Sequence, residues 1–154
     1  MPQKSNFGSP PAKPGVYLGE IMRKIEWDSS FLLGFNEIDT HHRHLVALLS
    51  KTHDEFVAGS PDLGPVLDEL VKYAKYHFKS EELWMLDDRY PGITGHKQEH
   101  HFFLQKALQV QKDFHSKSEY LSLEMLLFLE RWITDHILKT DAEFGKFLRT
   151  RPYK

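Results

Sequence analysis

The stretch from His77 to His100 constrains the fold of this chain more than any other. It holds two pairs with i, i+4 spacing, His77 with Glu81 and His96 with His100, on either side of a Tyr-Pro-Gly break at residues 90–92. On an α-helix, side chains at this spacing lie on one face, one turn apart. Because proline and glycine end one helix and begin the next, the sequence predicts two consecutive helices, each carrying two metal-ligand candidates near their shared turn.

Hydrophobic periodicity predicts an all-α chain with four long amphipathic helices. The first three patterns cover residues 38–58, 65–86 and 94–115, and the fourth begins at Ser118 or Ser122, either of which can cap a helix. Their short connections imply an up-down-up-down antiparallel four-helix bundle. A short helix over residues 142–148 is expected to follow the bundle.

The N-terminal part has a different composition. Residues 1–24 hold four of the eight prolines and few apolar residues, which predicts a flexible N-terminal arm and leaves residues 25–154 as the bundle domain. Apolar residues alternate from Ile25 to Phe35, and this alternation predicts an extended segment laid over the core.

Inward-facing polar residues of the four helices converge on one end of the predicted bundle. On the first helix, the heptad spacing of the apolar residues continues through His42. His41, His44 and His53 fall off this stripe, and His44 and His53 are expected at the surface. The fourth helix has an inner line of Met125, Leu129, Trp132 and His136. Because neighbouring helices are antiparallel, six polar residues share one depth: His42, His77, Glu81, His96, His100 and His136.

A metal centre explains why so many histidines face inward at one level. Burying five imidazoles and a carboxylate without partners would cost several kcal/mol, and histidine is a common transition-metal ligand. Six such donors exceed what one metal needs, so two metals are expected.

Asp141 is a further candidate whose role the spacing leaves open. It follows His136 at i+5, which on a straight α-helix turns a side chain away by about 140°. Asp141 reaches the centre only if the helix ends or bulges near residues 139–140. Alternatively, it caps the last short helix.

The spacing of these candidate ligands and the sequences that flank them resemble those of a known family, the hemerythrins, and specifically the single-domain bacteriohemerythrins. The resemblance covers roughly residues 25–150 and includes the flanking sequences of residues 38–42, 81–85, 90–91 and 132–136. It rests on seven spaced candidate ligands: His42, His77, Glu81, His96, His100, His136 and Asp141.

The resemblance implies two iron ions with an oxo or hydroxo bridge. His96, His100 and His136 would hold one iron, and His42 and His77 the other. Glu81 and Asp141 would bridge the two, which favours the ligand role for Asp141. The two-histidine iron would keep one open position for reversible dioxygen binding, beside a pocket wall that includes Trp132 and Ile133. His41 and His101 neighbour ligands in sequence and are expected outside the ligand set, with His101 as a candidate outer group.

The implied function is dioxygen storage, transport or delivery rather than enzymatic catalysis. Ferritin-like di-iron oxidases use Glu-x-x-His sequences, and this chain has none. The alternatives that remain are a di-iron oxidase, a nitric-oxide or iron-handling role, and a structural zinc or manganese site, although seven ligands exceed a closed zinc site.

Composition limits the partners and the compartment. The formal net charge of -2 without a basic block argues against nucleic acid. No apolar run is long enough to span a membrane. The absence of cysteine excludes disulfides and iron–sulfur clusters and fits the cytoplasm. The expected partners are dioxygen and an oxygen-consuming acceptor protein, with the chain itself a monomer.

Overall fold

The computed structural model describes residues 24–116 and 120–151. All of the predicted N-terminal arm except Lys24 lies outside these residues, so the arm and its boundary stay predictions. The described residues are all-helical, without a β-strand. The main elements are α1 (Asn36–Ala58), α2 (Leu63–Asp87), α3 (Ile93–Ser116), α4 (Leu123–Asp135), a π-helical segment (His136–Asp141) and α5 (Ala142–Thr150).

The four long helices close into a bundle. Helix α1 packs against α2 and α4, and α3 packs against the same two helices. Of the two serines proposed to begin the fourth helix, Ser122 is the cap, and its hydroxyl accepts a hydrogen bond from the Met125 amide at 3.1 Å. The predicted four-helix bundle with a short C-terminal helix is therefore confirmed.

Two apolar clusters fill the interior. The larger one runs through the middle of the bundle and includes Leu49, Leu67 and Phe103. The smaller one closes one end of the bundle, where Leu33, Ile38, Met85 and Phe144 meet. The histidines predicted to face inward lie between the two clusters, since the Phe78 ring of the larger cluster stacks on His100 and Phe144 of the smaller one faces His96.

The segment before α1 is not a continuous extended strand. It contains a 3-10 turn at Ser29–Phe31, which lets Trp27 stack on Phe31 at 5.3 Å. The Asp39 carboxylate accepts hydrogen bonds from the amides of Leu33 and Gly34, at 2.8 and 3.1 Å. Arg149 of α5 donates to the Leu33 carbonyl at 2.8 Å. These bonds hold the segment and α5 together over the smaller cluster.

Two predictions about individual side chains are wrong. Met125 was expected on the inner line of α4 but is 40% exposed, because it lies in the first turn of the helix, at the end of the bundle. His53 was expected at the surface but is buried, and its Nδ1 lies 2.7 Å from Oε1 of Glu130 on α4. No helix among the described residues combines the length and hydropathy that a membrane crossing requires.

Candidate metal centre

The two i, i+4 pairs of α2 and α3 face each other near the turn that joins these helices. His77, Glu81, His96 and His100 are each no more than 3% exposed. His42 from α1 and His136 from the end of α4 complete the group predicted from periodicity, and both are equally buried. The bundle therefore brings all six predicted inward residues to one place.

Asp141 joins this group through a local change of helix type. The segment from His136 to Asp141 is π-helical, and in such a turn the backbone hydrogen bond links residues i and i+5. The two side chains consequently lie on one face, with His136 Nε2 3.0 Å from Asp141 Oδ1. Asp141 is fully buried and makes no side-chain capping bond to α5, so the bulge alternative holds and the capping alternative does not.

Each carboxylate presents one oxygen to each of two histidine groups. Glu81 Oε1 and Asp141 Oδ1 face the group of His96, His100 and His136, with distances of 3.0 Å from Asp141 Oδ1 to the Nε2 atoms of both His96 and His136. Glu81 Oε2 lies 3.3 Å from His77 Nε2, and Asp141 Oδ2 lies 2.9 Å from His42 Nε2. The seven residues thus form two donor sets that share both carboxylates.

The donor atoms of the centre are arranged as metal ligands rather than as hydrogen-bond partners of one another. Both oxygens of Glu81, both oxygens of Asp141 and the Nε2 atoms of His42, His77 and His96 are buried without a hydrogen-bond partner, although they converge to within a few ångströms. Unpaired polar atoms at this depth are costly, whereas imidazole and carboxylate donors suit iron among the transition metals. The arrangement can therefore hold two cations.

In the metal-free centre, two carboxylate anions face three histidines with raised pKa values. Burial opposes protonation of His42, but the carboxylates of Asp141 and Glu81 outweigh it and raise the pKa of His42 to about 9. The same balance raises the pKa of His96 to about 10 and that of His136 to about 9. Although burial works in the opposite direction, the surrounding histidines hold the pKa of Glu81 well below its usual value. Protons thus occupy imidazole nitrogens that a metal would require.

Three of the histidines have neighbours on the side away from the carboxylates. Glu99 Oε1 lies 3.1 Å from His136 Nδ1 and accepts a hydrogen bond from the Thr140 hydroxyl at 2.8 Å. His77 Nδ1 lies 3.0 Å from His41 Nδ1, and Glu82 approaches His100 Nδ1 to 3.6 Å. Such outer partners fix the tautomer and the ring orientation of a ligand histidine.

Sequence reasoning missed Glu99 and Thr140 as outer partners. Glu99 follows His96 at i+3, which is a weak signal for a shared face, while the position of Thr140 depends on the π-helical turn. His41 lies outside the two donor sets, as predicted, but it contacts His77. His44 and His101 are exposed, as expected for His44. Among the described residues His101 makes no hydrogen bond or ion pair with a member of the two donor sets, so it does not take the outer role considered for it.

The two residues predicted to line an oxygen pocket lie close to the centre. The Trp132 ring stacks on His136 with centroids 4.6 Å apart and packs on Phe103 at 4.5 Å. Ile133 is buried in the larger apolar cluster. This places Trp132 on the three-histidine side, and the pocket-wall role of both residues stays a prediction.

Comparisons with known proteins agree with this geometry. A family model described as the hemerythrin HHE cation binding domain matches residues 33–148. A bacteriohemerythrin of Clostridium acetobutylicum is 32% identical over 125 residues, which cover 77% of this chain and 96% of that protein. A bacteriohemerythrin of Methylococcus capsulatus is 32% identical over 111 residues, covering 71% and 85%. The crystal structure of a wild-type hemerythrin superposes with a TM-score of 0.72 at 29% identity, covering 78% of this chain and 94% of that one.

Proposed function

The chain belongs to the hemerythrin family, and from this premise we propose that it binds dioxygen reversibly at a non-haem centre of two irons. One observation carries the proposal: Glu81 and Asp141 each direct one oxygen to a three-histidine group and the other to a two-histidine group. Two carboxylates shared in this way would bridge two metals, and unequal numbers of histidines would make the two metals unlike.

Counting donors distinguishes the two positions. His96, His100 and His136, with one oxygen from each carboxylate and an oxo or hydroxo bridge, would complete six ligands. His42 and His77, with the remaining carboxylate oxygens and the same bridge, would supply five and leave one position open. When bound, the two irons would supply the electrons with which dioxygen is held, so the protein itself need only shape and dry the site.

The apolar residues around the centre exclude water from it. Phe78 covers the His100 ring at 4.0 Å, Trp132 covers His136, and Phe144 closes the end of the bundle beside His96. Burial of all seven donors keeps solvent protons away, which would slow loss of the bound oxygen as peroxide. Ile133 and Trp132 are the proposed wall of the oxygen pocket.

The donor set favours a carrier over an enzyme. Five neutral imidazoles and only two carboxylates would stabilise high-valent iron less than a carboxylate-rich site does, and high-valent iron is what an oxygenase requires. The function calls for a protein that consumes the released dioxygen, and we expect the chain to act as a monomer in the cytoplasm.

An oxygen titration tests the proposal. We expect about two irons per chain by metal analysis and a nearly colourless reduced protein. Dioxygen should then produce a visible charge-transfer band at about one dioxygen per two irons, and gas removal should abolish it over repeated cycles. Continuous dioxygen consumption with a reductant, with release of water or peroxide and no reversible band, would replace the carrier by a di-iron oxidase.

A further inference from the structure

A surface groove lies between α2 and α3 beside the metal centre. Its volume is about 820 Å³, which is the size of a site for a cofactor or another small molecule. We call it the α2–α3 groove. Its lining includes Phe78, His100 and Leu104 at the base and Lys75, Lys79 and Lys97 among the polar residues.

The base of the α2–α3 groove leads directly to the candidate ligands. The rings of Phe78 and His100 stack with centroids 4.0 Å apart and planes 8° from parallel. His100 Nε2, in turn, lies 3.3 Å from Glu81 Oε1. A molecule in the groove would therefore be separated from Glu81 by the rings of Phe78 and His100, and His100 is itself a candidate ligand.

The rim of the groove is positively charged. Lys75, Lys79 and Lys97 are exposed, and in the described part of the chain no carboxylate lies within 4.0 Å of their ammonium groups. Among the described residues that line the groove, Glu82 is the only acidic one. The protein as a whole carries a net charge of -2, whereas the rim of the groove has more cations than anions. This local positive charge favours an anionic ligand.

We propose that the α2–α3 groove binds flavin mononucleotide and that its reduced form returns the oxidised centre to the oxygen-binding state. The inference rests on the proposed function, because a carrier that loses its oxygen as peroxide is left with two ferric ions. The exposed apolar lining, which includes Leu104 and the half-exposed Phe102 ring, suits the planar isoalloxazine ring, and the lysines suit the phosphate. A flavin also releases electrons one at a time, as two separate ferric ions require, whereas a nicotinamide donates a hydride.

The proposed reaction is balanced. Reduced flavin gives up two electrons and two protons and becomes oxidised flavin. Each ferric ion takes one electron and becomes ferrous. One proton converts the oxo bridge to hydroxo, and the other passes to solvent.

Charge-reversal variants with a matched control test the binding step. K75E/K79E/K97E reverses the groove, whereas K51E/K112E/K146E changes the net charge equally through exposed lysines elsewhere. Flavin fluorescence is titrated with the full chain, with and without iron, at low ionic strength. For the wild type and the control we expect flavin mononucleotide to bind about tenfold more tightly than riboflavin, which lacks the phosphate. The groove variant should bind flavin mononucleotide no more tightly than riboflavin, because its carboxylates repel the phosphate. Equal binding of the two flavins by the wild type, or equal loss in the control, overturns the proposal.

Anaerobic stopped-flow measurements test the electron-transfer step. Photoreduced flavin mononucleotide should reduce the diferric wild type about tenfold faster than reduced riboflavin does, and the groove variant should lose this advantage. Equal rates in the wild type, or adenosine monophosphate binding as tightly as the flavin, would overturn the redox assignment. The groove variant should keep the reversible oxygen band. A wild type that binds the flavin in the metal-free state but shows no reversible band would instead contradict the proposed function.

Discussion

Two separate groups of buried histidine and carboxylate side chains lie inside this bundle, and they differ in how they are satisfied. His53 of α1 and Glu130 of α4 form an isolated pair, with His53 Nδ1 2.7 Å from Glu130 Oε1 and one further ring nitrogen, His53 Nε2, buried without a partner. The metal centre draws on α1, α2, α3 and the π-helical segment that follows α4, yet most of its inner nitrogens and oxygens lack hydrogen-bond partners. Burial alone therefore does not distinguish a structural histidine from a ligand; the convergence of unpaired donor atoms does.

The strongest test of this difference is removal of a shared carboxylate. Asp141→Ala or Glu81→Ala should lower the iron content from about two per chain to below one, because each variant removes a donor from both metal positions. Helical stability should fall too, since buried imidazoles lose a counter-charge. Metal analysis and thermal unfolding measure both effects, with the exposed Asp135→Ala on α4 as the control. Two irons and an unchanged spectrum in both variants would contradict the site.

The pH dependence of stability should separate the metal-free protein from the iron-loaded one. In the metal-free protein the pKa values of His42, His96 and His136 are raised to about 9 or 10. A histidine whose pKa is raised by folding stabilises the folded state fully at a pH below its pKa in the unfolded chain, about 6.5. This stabilisation is lost as the pH rises through the pKa of the folded state. Iron binding requires unprotonated imidazoles, so its stabilising effect grows with pH.

We therefore expect the difference in melting temperature between iron-loaded and metal-free protein to widen from pH 6.5 to pH 9. Each pKa unit corresponds to about 1.4 kcal/mol, so the three histidines together give an effect on the order of several kcal/mol. Melts followed by circular dichroism in matched buffers measure the difference. A gap that stays constant or narrows over this range would show that protons and iron do not compete for these nitrogens.

The His53–Glu130 pair should affect stability without affecting iron. His53→Leu leaves the Glu130 carboxylate buried without its partner, at a cost of about 1–3 kcal/mol. H53L/E130L should recover part of this loss, because an apolar pair of similar volume removes the unpaired charge. Denaturant unfolding measures the free energies, and metal analysis should find the iron content unchanged. If His53→Leu lost as much iron as Asp141→Ala, the His53–Glu130 pair would be part of the metal site, and the prediction would be wrong.

The smallest effect is expected at His44. Its side chain is exposed, and its ring contacts Tyr73 rather than a member of the centre. His44→Ala should leave the iron content at the wild-type level and change stability by about 0.5 kcal/mol or less. His42→Ala, two residues earlier on the same helix, should lose iron. Equal iron loss in the two variants would refute the assignment of inward and outward faces on α1.

Helical periodicity was enough to predict most of the fold and six residues of the centre, because buried side chains on an amphipathic helix recur at fixed angles. It failed for His53 because the stripe of α1 was followed in steps of seven residues. A straight α-helix drifts by about 20° per heptad from that repeat. His53 lies 11 residues after His42, which is close to three full turns, and it therefore faces inward as well.

The role of Asp141 could not be obtained from periodicity at all. Spacing left it undecided, and the resemblance to hemerythrins favoured the ligand role before any geometry was available. Periodicity assumes the 3.6 residues per turn of a straight α-helix, so it does not predict a π-helical turn. Outer partners such as Glu99 could not be predicted from periodicity either, since the contact between Glu99 and His136 joins residues 37 positions apart on different elements.

The π-helical turn also changes what counts as the same ligand spacing. His77/Glu81 and His96/His100 bracket one α-helical turn with three intervening residues, whereas His136/Asp141 bracket one π-helical turn with four. The wide turn takes up the additional residue locally. Loss of one codon between His136 and Asp141 would therefore give the i, i+4 spacing of an α-helical turn, at which the two side chains can still meet. A search for related centres should accordingly allow a variable gap at this one position.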